Sequence, residues 1–371
     1  MGAQIMSGST RDRLVQIARK GRGALSNPDG RFESQTHEAF DDGWDSAWPE
    51  QKRKTRLAVD HAKTVISRNR SPDVPFEQSI NPYRGCEHGC IYCFARPTHA
   101  YLGLSPGLDF ETRLFYKPDV AALLERELRK PGYRCSTITL GANTDCYQPI
   151  ERKLRLTREI LQVLSACNHP LAIVSKSALV ERDIDILAPM AQRNLVQVYF
   201  SVTTLDSGLS RRMEPRATAP ARRLEGLRRV AAAGIPTGVL VAPLIPALND
   251  AELETILGAC REAGAETAGY VTLRLPHELK TLFREWLAEH EPLKAARVLK
   301  LVQDLHGGKD YDSTFGHRKR GSGVVARALE DRFALACRQL GFNQSRRRLD
   351  CTQFRPPTAE GPQMDLGLEQ E

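Results

Sequence analysis

From about residue 76 to residue 290, the chain alternates short runs rich in β-branched residues with longer helical stretches, and this alternation restricts the fold most. Alternating strands and helices of this length are typical of a parallel sheet. Six such units are read from the sequence. The predicted strands cover residues 78–81, 136–140, 171–174, 196–202, 237–241 and 270–273. The predicted helices that follow them cover residues 118–130, 154–166, 180–192, 219–233, 251–263 and 277–289.

Six consecutive right-handed crossovers predict an α/β fold, a partial (βα)6 barrel of the TIM type with its active site at the C-terminal edge of the sheet. Gly234 and Gly264 come just after two of the helices, where a left-handed conformation suits glycine.

The barrel is expected to occupy residues 76–290 and to be flanked by three further segments. Residues 1–75 predict a partly irregular N-terminal arm, because they show little periodicity. Residues 291–357 predict a helical, basic C-terminal extension that closes the open side of the barrel or contacts the substrate. Residues 358–371 are acidic and predict a disordered tail.

Three cysteines lie in the loop after the first predicted strand, spaced C-x3-C-x2-C at Cys86, Cys90 and Cys93. Thiolates ligate iron-sulfur clusters, and three ligands leave one iron of a four-iron cluster open. The alternatives are a zinc site completed by His88 or His99, and cysteines that bind no metal. The other six of the nine cysteines lack such spacing, so one cluster is predicted.

Composition narrows the class of protein. The longest apolar stretch, residues 239–248, contains two prolines and is far shorter than the roughly 20 residues of a transmembrane helix. Residues 1–22 contain no apolar segment typical of a secretory signal. An odd number of cysteines without such a signal fits a reducing compartment. We therefore expect a cytoplasmic protein without a membrane span.

The formal net charge of +8 is distributed unevenly. Basic clusters occur between residues 52 and 70, at residues 318–320 and at residues 346–348. Such clusters suit the phosphate backbone of DNA or RNA. A solvated surface without a nucleic-acid partner is the alternative.

The cysteine spacing, with Tyr92 directly before the last cysteine, resembles that of the radical S-adenosylmethionine (radical SAM) superfamily. A wider match resembles its spore photoproduct lyase-like branch. That match consists of NPYRGC (81–86), TDCYQPIE (144–151), SVTTLD (201–206) and EPR (214–216). RPTHAYLG (96–103) and GGKDYD (307–312) further resemble an uncharacterised bacterial subgroup likened to DNA repair photolyases.

The resemblance implies a [4Fe-4S] cluster on Cys86, Cys90 and Cys93, with SAM on the fourth iron and Tyr92 beside its adenine. It implies a flavodoxin- or ferredoxin-type reductant and reductive cleavage of SAM to a 5′-deoxyadenosyl radical that abstracts hydrogen from a substrate. The branch points to a damaged nucleic acid base as that substrate. A peptide or small metabolite, and a zinc-stabilised nucleic-acid-binding protein without catalysis, remain as alternatives.

Polar residues just after the second to fourth strands are the places where a barrel of this type binds its ligands. The side chains expected to contact SAM are Asn143, Thr144, Asp145, Lys176, Ser201, Thr203 and Arg216. An ordinary Asx turn is the alternative for the first three. Arg216 has an alternative as well, a bidentate pair with Glu214.

Cys146 stands where the family pattern has proline, and it is a candidate hydrogen-atom relay because a cysteine has that role in spore photoproduct lyase. A residue that relatives replace with proline is not essential to a shared mechanism. Reactivity of the thiol would require exposure. Tyr147 is a second relay candidate, with Tyr270 and Tyr311 as rivals, although a tyrosine at each of these positions is more often a packing residue.

Overall fold

The computed structural model describes residues 20–33, 54–345 and 347–358. The strands are β1 (Arg56–Val59), β2 (Ile66–Arg68), β3 (Gln78–Ile80), β4 (Tyr83–Arg84), β5 (Arg113–Tyr116), β6 (Ile138–Leu140), β7 (Leu171–Ser175), β8 (Val196–Ser201), β9 (Thr237–Leu244) and β10 (Thr267–Thr272). The helices are α1 (Leu108–Thr112), α2 (Val120–Leu128), α3 (Glu151–Leu154), α4 (Leu156–Ala166), α5 (Ile184–Gln192), α6 (Ser207–Met213), α7 (Pro220–Ala232), α8 (Leu253–Glu262), α9 (Leu279–His290), α10 (Pro292–Leu305) and α11 (Gly323–Leu340). Short 3-10 helices cover Arg96–Leu102, Ala178–Asp183 and Asp250–Glu252.

The main sheet has seven strands in the order β10-β9-β8-β7-β6-β3-β2. From β3 to β10 all neighbours are parallel, and β2 joins β3 as an antiparallel edge strand. The six parallel strands are the six predicted ones, so the α/β partial barrel is confirmed. Gly234 and Gly264 have φ values of 76° and 102°, as expected after helices α7 and α8.

The core lies between the sheet and the helices that cover it. Parallel strands covered by helices carry apolar side chains along their length, and Ile138, Leu140 and Ile173 are fully buried. Helix α4 buries Ile160 and Leu164, one turn apart on its inner face.

A second, small sheet in the order β1-β5-β4 was not predicted from the sequence. Its strands are two to four residues long, and all of β1 is exposed, so no alternating apolar pattern marks them. Strands β1 and β2 give the predicted N-terminal arm some regular structure. Residues 1–19 and 34–53 of that arm, and residues 359–371 of the predicted tail, lie outside the described residues.

The C-terminal extension contains α10 and α11, joined by a long turn that reaches both edges of the open sheet. In this turn, the carbonyl of Lys319 accepts hydrogen bonds from Thr272 N and Oγ1 at the end of β10, at 2.9 and 3.0 Å. Lys319 Nζ donates to the carbonyl of Asp73, in the turn between β2 and β3, at 2.7 Å. The extension therefore spans the open side of the barrel. Within the described part of the chain, no helix is long and apolar enough to cross a membrane.

Candidate active site

The cysteine loop, residues 86–93, follows β3 and β4 at the C-terminal edge of the sheet. Cys86 and Cys90 are buried, Cys93 is half-buried, and all three are free thiols. Burial raises the pKa of the Cys90 thiol to about 12, with Glu214 adding to the effect and Lys176 opposing it. Burial also raises the pKa of Cys86, and both Cys90 and Cys93 contribute to that rise. The three thiols therefore lie close enough to influence one another's ionisation.

A buried ion pair holds the backbone of the cysteine loop. Arg96 donates to the carbonyls of Gly89 and Cys90, at 2.9 and 2.8 Å, and to Oε1 of Glu111 at 2.5 Å. It also donates to two carbonyls before α1. Both charged side chains are fully buried. Buried charges are tolerated when they are paired and fully hydrogen-bonded, as Arg96 is here.

The N-terminal arm contributes to the same contact. The backbone N–H groups of Gly23 and Ala24 donate to the Glu111 carboxylate at 3.0 and 2.9 Å. A Cβ at Gly23 would lie 1.9 Å from the carbonyl oxygen of Gly89. Glycine is therefore required at this position, and the arm forms one wall of the cysteine loop.

The loop after β6 supports the cysteine loop from the other side. Gln148 accepts a hydrogen bond from Glu87 N at 2.8 Å and donates to the carbonyl of Gly85 at 3.2 Å. Asp145 Oδ2 lies 3.3 Å from His88 Nδ1. Burial opposes ionisation of Asp145, but His88 and the backbone N–H groups that it accepts hold the pKa of its carboxyl well below the usual range.

Asp145 also fixes the end of β7. It accepts hydrogen bonds from Ser175 Oγ and Lys176 N, both at 2.8 Å. Its Oδ1 further accepts from Tyr147 N at 2.9 Å, which is the Asx turn that sequence reasoning kept as an alternative. Asp145 thus positions the cysteine loop and the start of the next turn together.

Five side chains beside the cysteines form what we call the central polar network: Tyr92, Lys176, Ser201, Thr203 and Glu214. The Tyr92 hydroxyl donates to Glu214, and Thr203 Oγ1 donates to the same carboxylate at 2.8 Å. Lys176 Nζ donates to Ser201 Oγ at 3.1 Å and lies 5.7 Å from the centre of the Tyr92 ring. Four of these five residues were predicted as cofactor ligands, and the structure brings them together.

Arg223 of α7, which sequence reasoning missed, is the partner of Glu214. The two side chains pair at 2.8 Å and are both about 1% exposed. Burial alone would raise the pKa of the Glu214 carboxyl, but Arg223 and Lys176 hold it at about 2. Arg223 lies on the inner face of the helix predicted for residues 219–233, and a charged residue at a buried helix position was the one signal that could have indicated its role.

Arg216 does not pair with Glu214, so the pairing kept as its alternative is wrong. It contacts Glu87 at 3.1 Å instead, and its backbone N–H donates to the carbonyl of His88 at 3.2 Å. Pro215 separates the two residues and lies near Gly89 of the cysteine loop.

Asn143 and Thr144 support the loop rather than joining the central polar network. Thr144 is buried and its hydroxyl donates to the carbonyl of Tyr83 at 2.8 Å. The backbone N–H of Asn143 donates to Asn81 Oδ1 at 3.1 Å.

Cys146 and Tyr147 lie in the hydrophobic core and are fully buried. Burial raises the pKa of both, and the Tyr147 hydroxyl donates to Asp183 at 3.0 Å. Tyr270 packs against Phe333 at 4.7 Å between ring centres. The Tyr311 hydroxyl accepts from Arg274 at 3.3 Å. These contacts are those of packing residues.

The sequence model described as the radical SAM superfamily matches residues 80–260. An uncharacterised protein of Mycobacterium tuberculosis (strain H37Rv) is 40% identical over 232 residues, which are 62% of this chain and 68% of the relative. The chain belongs to the radical SAM superfamily. An uncharacterised protein of Methanocaldococcus jannaschii is 27% identical over 191 residues, which are 52% of this chain and 68% of that protein.

The radical SAM barrel of this chain is similar to solved structures of spore photoproduct lyase. The complex of that lyase with a dinucleoside spore photoproduct has a TM-score of 0.57 and 16% identity, over 77% of this chain and 80% of the other. A double mutant with bound AdoMet and the dinucleoside has the same TM-score and coverage, with 17% identity. At this identity the likeness is one of fold.

The residues present fit the cofactors of a radical SAM enzyme, a [4Fe-4S] cluster and SAM. Three soft sulfur donors come from one loop. Burial raises the pKa of Cys90 and Cys93, and Lys176 opposes that rise for both. Among the described residues, no three His, Cys, Asp or Glu side chains converge as ligands of one metal ion. A four-iron cluster is larger than one ion, so its ligands stand further apart.

The zinc alternative is wrong for both histidines. His99 Nε2 is engaged by the carbonyl of Arg113 at 2.9 Å, and burial lowers the pKa of its ring to about 4. His88 faces Asp145 rather than a thiol. The protein is an enzyme that uses SAM and an iron-sulfur cluster.

Proposed function

We propose that this radical SAM enzyme acts on a base of a nucleic acid, as a lyase-type repair enzyme for damaged pyrimidines. The observation that supports the proposal is the likeness in fold to a lyase whose structure holds a dinucleoside photoproduct, over 77% of this chain. Fold alone does not define a substrate. The uneven positive charge of the sequence, with basic clusters between residues 52 and 70 and at residues 318–320, adds support that is independent of the fold.

The bound cofactors supply a 5′-deoxyadenosyl radical by reductive cleavage of SAM, with an electron from a flavodoxin- or ferredoxin-type protein. Cys86, Cys90 and Cys93 hold the cluster. Arg96 and Glu111 keep the loop backbone in place, so the thiols hold their spacing without help from the substrate.

Lys176 is the residue we assign to the carboxylate of SAM. An ammonium group has three N–H donors, and within the described residues its one hydrogen-bond partner is Ser201. Two donors therefore remain, on a half-buried cation next to the cysteine loop. A hydrogen bond from this ammonium group to the carboxylate of SAM would be charge-assisted, and such a bond contributes about 1.5–3 kcal/mol to binding.

Glu214 and Thr203 orient Tyr92, whose ring lies beside Lys176 in the central polar network. Because the Glu214 carboxyl has a pKa of about 2, it stays ionised at any working pH and accepts from both hydroxyl groups. Arg223 neutralises the charge of Glu214, so the remaining charge of the central polar network is the positive charge of Lys176.

The test is anaerobic SAM cleavage with deuterium tracing. Reconstituted enzyme is given deuterated substrate candidates in separate reactions: ultraviolet-irradiated oligodeoxynucleotides, unirradiated ones, RNA, and the peptide and small-molecule fractions of a cell extract. We expect irradiated DNA to stimulate release of 5′-deoxyadenosine and to transfer deuterium to it. Stimulation by the peptide or small-molecule fractions, with no response to any polynucleotide, would show that the substrate belongs to another class.

A further inference from the structure

Three cations line the open side of the barrel, and we call Arg274, Lys319 and Arg320 the side-opening cluster. Arg274 comes just after β10, and Lys319 bridges β10 and the turn that holds Asp73. Arg320 lies over the ring of Tyr270, on β10, at 3.9 Å from its centre. The cluster therefore lies across the gap between the two edge strands, on the segment of the C-terminal extension that spans it.

The cations of the cluster have carboxylates in their surroundings but, within the described part of the chain, no direct ion pair with one. Arg318 pairs with Asp73, while Lys319 donates only to the backbone carbonyl of the same residue. Besides burial, Glu330 and Asp331 raise the pKa of Tyr270, whose ring lies under Arg320. Among the described residues, no member of the side-opening cluster forms an ion pair with a carboxylate. Burial, and then the proximity of Arg274, lower the pKa of Lys319 to about 8. Like charges held together in this way are stabilised by a bound anion.

An exposed aromatic side chain connects the cluster to the cysteine loop. Phe94 directly follows Cys93 and is 43% exposed. The guanidinium of Arg274 lies 5.1 Å from the centre of its ring. Phe315 is also exposed, by 56%, and lies under the guanidinium of Arg318 at 4.6 Å. Cations beside exposed rings are the elements with which proteins bind single-stranded nucleic acids.

We propose that the side-opening cluster binds backbone phosphates of a single-stranded or locally unpaired polynucleotide, and that Phe94 stacks on one of its bases. The inference rests on the proposed function and adds the place of entry: the strand crosses the open side of the barrel. A base stacked on Phe94 lies next to the cysteine loop, because Phe94 directly follows Cys93 in the chain. The neighbouring nucleotide is thereby presented to the mouth of the barrel.

The test compares two double variants of the anaerobically reconstituted holoenzyme. Lys319→Ala/Arg320→Ala removes two cluster charges. Arg228→Ala/Arg229→Ala removes two charges from the outer face of α7, where both residues pair with Glu225. Affinity for a fluorescent single-stranded oligonucleotide is measured by anisotropy between about 50 and 200 mM salt, the range over which phosphate contacts dominate.

We expect the cluster variant to bind on the order of ten-fold more weakly, with the salt slope reduced by about 0.7 for each lost phosphate contact. The α7 variant should match the wild type. Phe94→Ala should weaken binding by about 5- to 150-fold, the value of one stacked base, with the salt slope unchanged. Lys319→Arg/Arg320→Lys keeps both charges and should retain binding, which separates loss of charge from misfolding.

Equal affinity of the cluster variant and the wild type would overturn the inference and leave the nucleic-acid substrate standing. A wild type that binds no polynucleotide at any salt concentration would instead overturn the proposed function, and the inference with it.

Discussion

The cysteine loop and the side-opening cluster lie at the same mouth of the barrel but are built in opposite ways. Behind the cysteine loop, the two charges of Arg96 and Glu111 are fully buried and bonded to each other and to backbone groups. In the side-opening cluster, Lys319 is half-buried, Arg320 is exposed, and neither meets a carboxylate among the described residues. The charges behind the cysteine loop are fully paired within the protein. The cations of the side-opening cluster have no direct carboxylate partner among the described residues.

The difference separates the part of the enzyme that fixes a cofactor from the part that recognises a substrate. A cluster requires ligands at constant spacing, and a buried, fully bonded frame provides it. A polyanion exchanges water and counterions on arrival, which suits exposed, unpaired cations. Changes in the two regions should therefore affect different properties. Changes near the cysteine loop should affect cofactor binding and stability, and changes in the side-opening cluster should affect the binding of nucleic acid.

The largest effect is expected from removing a cluster ligand. Cys90→Ala leaves two thiolates in the cysteine loop, so anaerobic reconstitution should yield little bound iron and sulfide and no absorbance near 400 nm (about where thiolate-bound iron absorbs). Cys351→Ala is the control, because it removes a half-buried thiol far from the cysteine loop in the sequence. This variant should retain the bound iron and sulfide and the absorbance. Full iron content in the Cys90 variant would mean that the loop does not hold the cluster.

Breaking the frame behind the loop should cost stability. Glu111→Gln leaves the Arg96 charge buried without its partner, and loss of one member of a buried pair costs about 3–5 kcal/mol. The free energy of unfolding, measured by urea titration under anaerobic conditions, should fall by that amount. Arg228→Ala, in a surface pair on α7, is the control and should change it little. Equal effects of the two changes would contradict the contrast.

Lys176→Met should weaken SAM binding by about 10- to 150-fold, which corresponds to one charge-assisted hydrogen bond. Equilibrium dialysis of the reconstituted enzyme with labelled SAM measures this. The control is Lys63→Met, at an exposed position. If both variants bind SAM like the wild type, the carboxylate of SAM is held elsewhere.

Oligonucleotide binding should weaken as the pH rises from 7 to 9. The Lys319 ammonium is charged below its pKa of about 8 and neutral above it, so a contact to phosphate is lost on the alkaline side. The pKa of Lys319 is lowered by burial and by the neighbouring charges of Arg274, Arg318 and Arg320, and it is raised by Asp73. In Lys319→Arg the charge persists, and binding measured by anisotropy should vary less over the same range.

The smallest effect is expected at Cys146. Its thiol is fully buried in the core, so Cys146→Ala should leave the rate of anaerobic SAM cleavage and the transfer of deuterium unchanged. A variant that cleaves SAM but no longer completes the reaction would show that Cys146 acts as a relay.

The barrel could be predicted from the sequence because its strands β6 to β9 are mostly buried and rich in apolar residues. The exposed strand β1 has no such signal and was missed. The cysteines and most of the central polar network follow strands at fixed positions, which made them predictable. Arg223 and Glu111 could not be predicted, because each acts through a fold contact with a distant residue. The alternative that paired Arg216 with Glu214 was wrong for the same reason, because Arg216 pairs with the distant Glu87.

The contact between the N-terminal arm and Glu111 sets an order of events during synthesis. Gly23 and Glu111 are 88 residues apart in the chain, and the three cysteines lie between them. The arm therefore leaves the ribosome first but has no place to dock until Glu111 has been made, after all three thiols. The contact between the arm and Glu111 therefore closes a loop of the chain that contains all three cysteines.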